Sequence, residues 1–157
     1  MLKRVVYLMA VLWIMAVGTV FAEESKEESQ AGWQLIDIGP AEDIEYSFNT
    51  NTIKYDRNKD GTVNKNIIIY EEKKTNMVTL SSEYKFYTIT ECKINVNLQS
   101  ILFGDEKFYT REGKYRWTNK PTYMAWITVK PETIGGDRFV AVVSYAMEHD
   151  AELGARS

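Results

Sequence analysis

Beyond residue 32 the chain alternates apolar and polar residues with the two-residue period of half-buried β-strands. Ile44, Tyr46 and Phe48 alternate cleanly with polar neighbours, and Tyr84, Phe86, Thr88, Thr90, Cys92, Ile94, Val96 and Leu98 share one parity. The organising stretch is Asn49 to Lys73, where a short apolar segment, a polar Asp/Asn/Lys/Gly turn and a β-branched run follow one another as in a β-hairpin. Ile67, Ile68 and Ile69 run on without a polar break, which predicts a central strand covered on both faces. A first strand is predicted from Trp33 to Ile38, with Trp33, Leu35 and either Ile36 or Ile38 turned inward, ending at Gly39-Pro40. Thr52 to Tyr55 is the first arm of the hairpin, and Glu71 to Asn76 reads as a charged connection. Val78 to Leu98 is too long for one typical strand, so a break is expected around Thr88 to Glu91. Phe103-Gly104-Asp105 marks a turn. Arg111-Glu112-Gly113 closes a short hairpin between Phe108 to Thr110 and Lys114 to Trp117, and Tyr123 to Val129 is a further strand.

The period changes near the end. Phe139, Val142, Val143 and Ala146 stand at i, i+3, i+4 and i+7, the spacing of one helix face, although the local richness in Val favours a strand. Pro131-Glu132-Thr133 as an approach and Gly135-Gly136-Asp137 as a cap favour the helix. Strands in succession followed by a terminal helix give an α+β domain, an antiparallel sheet of about six strands with the C-terminal helix packed on one face.

The start of the chain adds a compartment. Lys3 and Arg4 precede an apolar run from Val5 to Val17, and Val20-Phe21-Ala22 supplies small residues before Glu23-Glu24. That pattern predicts a secretory signal peptide over residues 1–22, cleaved after Ala22, because the run is shorter than the roughly 18 to 20 residues of a membrane span. A charged leader over 23–31, one domain over 32–148 and a frayed tail over 149–157 complete the expected organisation. No transmembrane segment is expected after signal removal. Loss of Lys3 and Arg4 would move the formal charge from −3 to −5, which disfavours nucleic acid and anionic membrane as partners. The single cysteine, Cys92, excludes an intrachain disulfide and points to the apolar face of its strand.

Candidate chemistry is sparse. Asp56, Asn58 and Asp60 place oxygens at positions 1, 3 and 5 of a calcium loop, with Gly61 at position 6 and Asn64 at position 9. Position 12 is Ile67, where a bidentate Glu belongs, so a weak calcium site and a plain polar hairpin turn both fit the letters, and no other cofactor is expected. His149 is the only histidine and has no neighbouring nucleophile. Glu71-Glu72 reads as a pair of solvated carboxylates. Tyr109, Arg111, Lys114, Tyr115 and Trp117 make a locally basic, aromatic region in an acidic chain, a composition favoured where a protein partner or an acidic glycan docks. The same letters also suit a hairpin with aromatics on its core face and cations on its wet face.

The order Trp33, then Tyr46 to Phe48 leading into Asn51-Thr52-Ile53, a polar turn, a strand, a Cys, Tyr109 to Gly113-Lys114, Trp126, and Pro131-Glu132-Thr133 resembles the surface-adhesin protein E family of exported bacterial proteins. The resemblance implies an antiparallel sheet with a C-terminal helix, no catalytic activity, and binding of host extracellular-matrix or plasma proteins. Family members commonly carry a second Cys in the terminal helix, and Phe139 to Met147 has none. Two classes of function follow. One is an exported, non-enzymatic binding module of adhesin type. The other is a structural or assembly protein of the cell envelope, weakly calcium-stabilised and without a host ligand.

Overall fold

A computed structural model describes residues 32–38, 43–76 and 86–157, so the expected signal peptide and leader, Gly39-Pro40 and the beginning of the Val78 to Leu98 segment lie outside the described residues. The strands are β1 (Trp33–Ile36), β2 (Ile44–Asn49), β3 (Lys54–Arg57), β4 (Val63–Asn76), β5 (Phe86–Asn95), β6 (Ser100–Thr110), β7 (Tyr115–Asn119) and β8 (Ile127–Thr128). Two helices follow, α1 (Ile134–Glu148) and α2 (Asp150–Arg156). The eight strands form one antiparallel sheet in the order β1-β2-β4-β5-β6-β7. β3 continues β2 along the same edge of β4, and β8 continues β7 along the same edge of β6. The fold is therefore α+β, as the alternation followed by a terminal 3.6-residue period requires. The described residues belong to one compact unit, Gly32–Ser157.

Parity along β4 and β5 decides which face is inside. Ile68, Tyr70 and Glu72 face Ile94, Cys92 and Thr90 in register, and all six are buried. Ile36, Tyr46, Phe48, Tyr55 and Ile101 extend the same face across the neighbouring strands. Side chains directly opposite on one face of an antiparallel pair pack together, so this register makes a continuous apolar floor. α1 lies on it. Thr133 caps the helix by accepting the amide of Gly136 at 3.1 Å, and Val142 and Ala146 are buried against the sheet. Gly136 is obligatory, since a Cβ there would stand 2.3 Å from the Lys130 carbonyl oxygen.

Several expectations are corrected. Trp33 and Leu35 lie on the outer face, Leu35 61% exposed, while Ile36, one of the two isoleucines expected inward, is buried because the β1–β2 register pairs it with Tyr46. β4 runs straight through the supposed charged connection to Asn76. β5 is unbroken from Phe86 to Asn95. Phe103-Gly104-Asp105 is a bulge inside β6: Thr90 pairs with Glu106 and Cys92 with Phe103, so two residues of β6 oppose one of β5. Gly104 suits it because a Cβ would lie 3.0 Å from the Glu91 carbonyl oxygen. Only Ile127–Thr128 of the Tyr123 to Val129 segment is strand. The expected frayed tail is α2, whose Leu153 is fully buried.

Candidate functional site

The hairpin joining β6 to β7 turns tightly. Gly113 adopts φ +84, its amide donates to the Thr110 carbonyl at 3.0 Å, and the Thr110 amide donates to the Lys114 carbonyl at 2.9 Å. Just inside the turn the register shifts, so that Tyr115 pairs with Tyr109 while Trp117 pairs with Phe108. Residues 115 and 117 would share a face in a regular strand; the shift sends them to opposite faces. On the outer face Tyr87 stacks on Tyr109 at 5.2 Å and Tyr115 meets Tyr109 edge-on at 5.9 Å. On the inner face Phe86 and Phe108 lie 5.8 Å apart, and Trp117 stacks on Phe108 at 4.6 Å. Tyr115 and Trp117 remain 52% exposed despite these contacts. Arg111 and Lys114 sit on the exposed turn between the two aromatic stacks. The five residues singled out from sequence are thus brought to one hairpin end, with Tyr109 and Tyr115 on one side and Trp117 on the other.

Bordering a cavity, α1 packs across the inner face. Its far end packs on the β2–β3 side, where Tyr145 meets Phe48 edge-on at 5.4 Å and the Tyr55 hydroxyl donates to the Ala146 carbonyl at 3.2 Å. Between Arg138 of α1 and the β6–β7 side is a cavity of about 300 Å³. Lys74, Thr88, Thr90, Glu106, Asn119 and Arg138 give it its polar lining. The sheet register orders the floor: Lys74 faces Thr88, which faces Phe108; Glu72 faces Thr90, which faces Glu106 and then Asn119. The Phe108–Trp117 stack continues the same row as Lys74 and Thr88 beyond the cavity, whose apolar lining is Tyr46, Phe103 and Pro121.

At the wall of this cavity Arg138 and Glu72 form a side-on bidentate pair, Nε to Oε2 at 2.8 Å and Nη2 to Oε1 at 2.5 Å. Both side chains are largely withdrawn from water, Glu72 with 4% exposure. The guanidinium is also flanked by the rings of Tyr46 at 4.8 Å and Phe103 at 4.9 Å. Burial pushes the Glu72 carboxyl above its ordinary value, and the bonds from Arg138 pull against that push. The Glu72 carboxylate in turn holds the guanidinium protonated. Sequence reading missed this pair by treating Glu71-Glu72 as solvated. The available signal was parity, since Glu72 follows Ile68 and Tyr70 at the inward positions of the strand.

The remaining candidates are engaged elsewhere. Asp56 and Asn64 are opposite one another on β3 and β4, but the Asp56 carboxylate meets the Lys93 ammonium at 3.1 Å. Asp60 accepts both the amide and the hydroxyl of Thr62, at 3.0 and 2.6 Å, and Asn58 donates to the same hydroxyl at 3.0 Å. The Asn64 side-chain oxygen accepts the Asn66 amide at 3.1 Å. The oxygens of Asp56, Asp60 and Asn64 are thus taken up in local bonds, and Asn58 is engaged through its amide nitrogen. Among the described residues no group of three or more His, Cys, Asp or Glu side chains is placed to hold a metal. His149 stacks on Tyr145 at 4.0 Å with Nδ1 2.9 Å from the Tyr145 carbonyl oxygen. Cys92 is buried, and that burial drives its thiol well above the ordinary range, away from the reactive thiolate. Among the described residues no helix is long and apolar enough to cross a membrane. No family model, curated protein or solved structure matches this chain.

Proposed function

We propose that this chain is an exported, non-enzymatic binding module of the adhesin type, and that a protein partner seats on the β6–β7 hairpin end. The observation that carries the reading is the pair of exposed rings there, Tyr115 and Trp117, each 52% open to solvent and each braced from behind by another aromatic ring. Rigid aromatics give large contact area at little entropic cost, and with neighbouring Arg and Lys they are the residues that dominate protein interfaces. A binding role is further supported by the state of the candidate catalytic groups, since Cys92 is buried as a thiol and His149 is stacked within the helical region. Export is supported by the basic, short apolar, small-residue pattern of residues 1–22, and host matrix or plasma proteins as partners by the sequence resemblance.

Immobilised extracellular-matrix and plasma proteins are the first partners to test against the secreted domain. Replacing Tyr115 and Trp117 together by Ala is expected to weaken binding by about 30-fold or more, the scale of a hot-spot loss near 2 kcal/mol. Arg111→Glu with Lys114→Glu is expected to weaken it and flatten its dependence on salt. Full retention of affinity in both folded variants would remove the hairpin from the binding surface. Absence of any host-protein binding, with the chain protected from labelling on intact cells, would favour the envelope-assembly role.

A further inference from the structure

We propose that the cavity beside α1 binds a small zwitterion of the free α-amino-acid kind, with the carboxylate held by Arg138 and Lys74, the ammonium by Glu106, and an apolar side chain set against Phe103 and Pro121 of the lining. This goes beyond the partner contact at the hairpin end and does not depend on it.

The charges are arranged for such a ligand. Lys74 on β4 and Glu106 on β6 both line the cavity, yet β5 stands between their strands. Two strand spacings put their backbones about 10 Å apart. Among the described residues neither is in an ion pair. A molecule with both charges would meet an ammonium on one side and a carboxylate on the other. Between them lie the Thr88 and Thr90 hydroxyls of β5, with the Asn119 amide beyond, which supply neutral donors and acceptors along the floor.

Arg138 adds a fixed donor. Its Nε and Nη2 are occupied by Glu72, while Nη1 takes no part in that pair, and Arg138 lines the cavity, so Nη1 is the guanidinium nitrogen left for a ligand. The ion pair and the two flanking rings hold the guanidinium in place before any ligand arrives, which removes part of the ordering cost of binding. The four charged residues of the lining, Glu72, Lys74, Glu106 and Arg138, cancel. A net anion thus gains no overall attraction, whereas a dipolar ligand is matched at both ends. A volume of about 300 Å³ is at the small end for ligand pockets and fits a single small molecule.

Calorimetric titration of the chain with L-phenylalanine and L-leucine tests the assignment, against N-acetyl-L-phenylalanine, which lacks the ammonium, and L-phenylalaninamide, which lacks the carboxylate. The free amino acids are expected to bind, and each blocked analogue to bind about tenfold or more weakly, as befits loss of one charge-assisted contact. Glu106→Gln is expected to remove the discrimination against the N-acetyl compound, and Lys74→Gln to weaken both carboxylate-bearing compounds while leaving the amide unaffected. Protein-partner binding at the hairpin is expected to survive Glu106→Gln. Equal affinity for L-phenylalanine and its N-acetyl form would reduce the cavity to a carboxylate site and overturn the proposal, as would absence of binding by both free amino acids.

Discussion

At the scale of single residues the Glu72–Arg138 pair dominates, because it is a full charge pair on the inner face of a sheet. Two buried charges cost several kcal/mol each to strip of water, and their attraction repays that only with good geometry and further hydrogen bonds. Here the geometry is bidentate, the guanidinium lies between two rings, and the Tyr70 hydroxyl stands 3.4 Å from the same carboxylate. Arg138→Leu is expected to destabilise the fold by about 3–5 kcal/mol, since it strands Glu72 without a partner. Glu72→Leu with Arg138→Leu is expected to recover most of that loss in urea unfolding. A double variant as unstable as Arg138→Leu would show that the pair contributes net stability beyond relief of an unpaired charge.

At the scale of elements, the β3–β4 hairpin shows how one set of letters serves either a cation loop or a plain turn. The seat beside Asp56 is taken by the ammonium of Lys93, which reaches across from β5, and Asp60 is turned back on Thr62. Calcium binding would have to displace Lys93 and break the Asp60 bonds without the bidentate Glu that normally completes such a loop. Melting of the domain is therefore expected at the same temperature in EDTA and in millimolar calcium, with Asp60→Ala making no difference to that comparison. A calcium-dependent rise abolished by Asp60→Ala would restore the cation loop. The β6–β7 hairpin teaches the complementary lesson, for a single register shift decides that Tyr115 and Trp117 serve different faces.

At the scale of the whole molecule, the last residues of the chain close on its early strands. Tyr55 donates its amide to the Ser157 hydroxyl at 2.8 Å, Arg57 donates to the Ser157 carbonyl, and Arg156 donates to the Thr50 carbonyl at 2.8 Å. Asp150 accepts from the Tyr55 hydroxyl at 2.8 Å and pairs with Lys65 at 2.6 Å. Burial, followed by Asp150, pushes the Tyr55 hydroxyl up to about 12. A seven-residue helix is not stable alone, so these contacts and buried Leu153 are what hold α2. Leu153→Ala is expected to cost about 2–5 kcal/mol. Acid acts on the same latch. The Lys65 and Tyr55 bonds lower the Asp150 carboxyl from its ordinary 3.8. A lowered folded value gives stability that is present above the unfolded value and is lost as pH falls through the folded one. Hydrogen exchange at α2 is expected to accelerate below about pH 4, and Asp150→Asn to remove that acid step. An unchanged acid profile in Asp150→Asn would assign the loss to other carboxylates.

The sequence by itself determined the class of fold, the inward parity of β5 with its buried Cys92, the β6–β7 turn at Gly113 and the terminal helix. Each of these depends on a local period or on the backbone freedom of one residue, which neighbours along the chain suffice to express. The cluster of Tyr109, Arg111, Lys114, Tyr115 and Trp117 was likewise legible as a composition, but its division between two faces was not. The inward place of Glu72, its partner Arg138 on a helix 66 positions away, and the ordering of α2 were decided only in three dimensions. A charged residue at a core-facing position looks solvated until a distant guanidinium arrives to compensate its burial, and a short helix looks frayed until another strand supplies its contacts. The cavity has the same origin, since its lining joins Arg138 of α1 to residues of β2, β4, β5, β6 and β7 that are far apart in sequence, and such a meeting is not written in any local period.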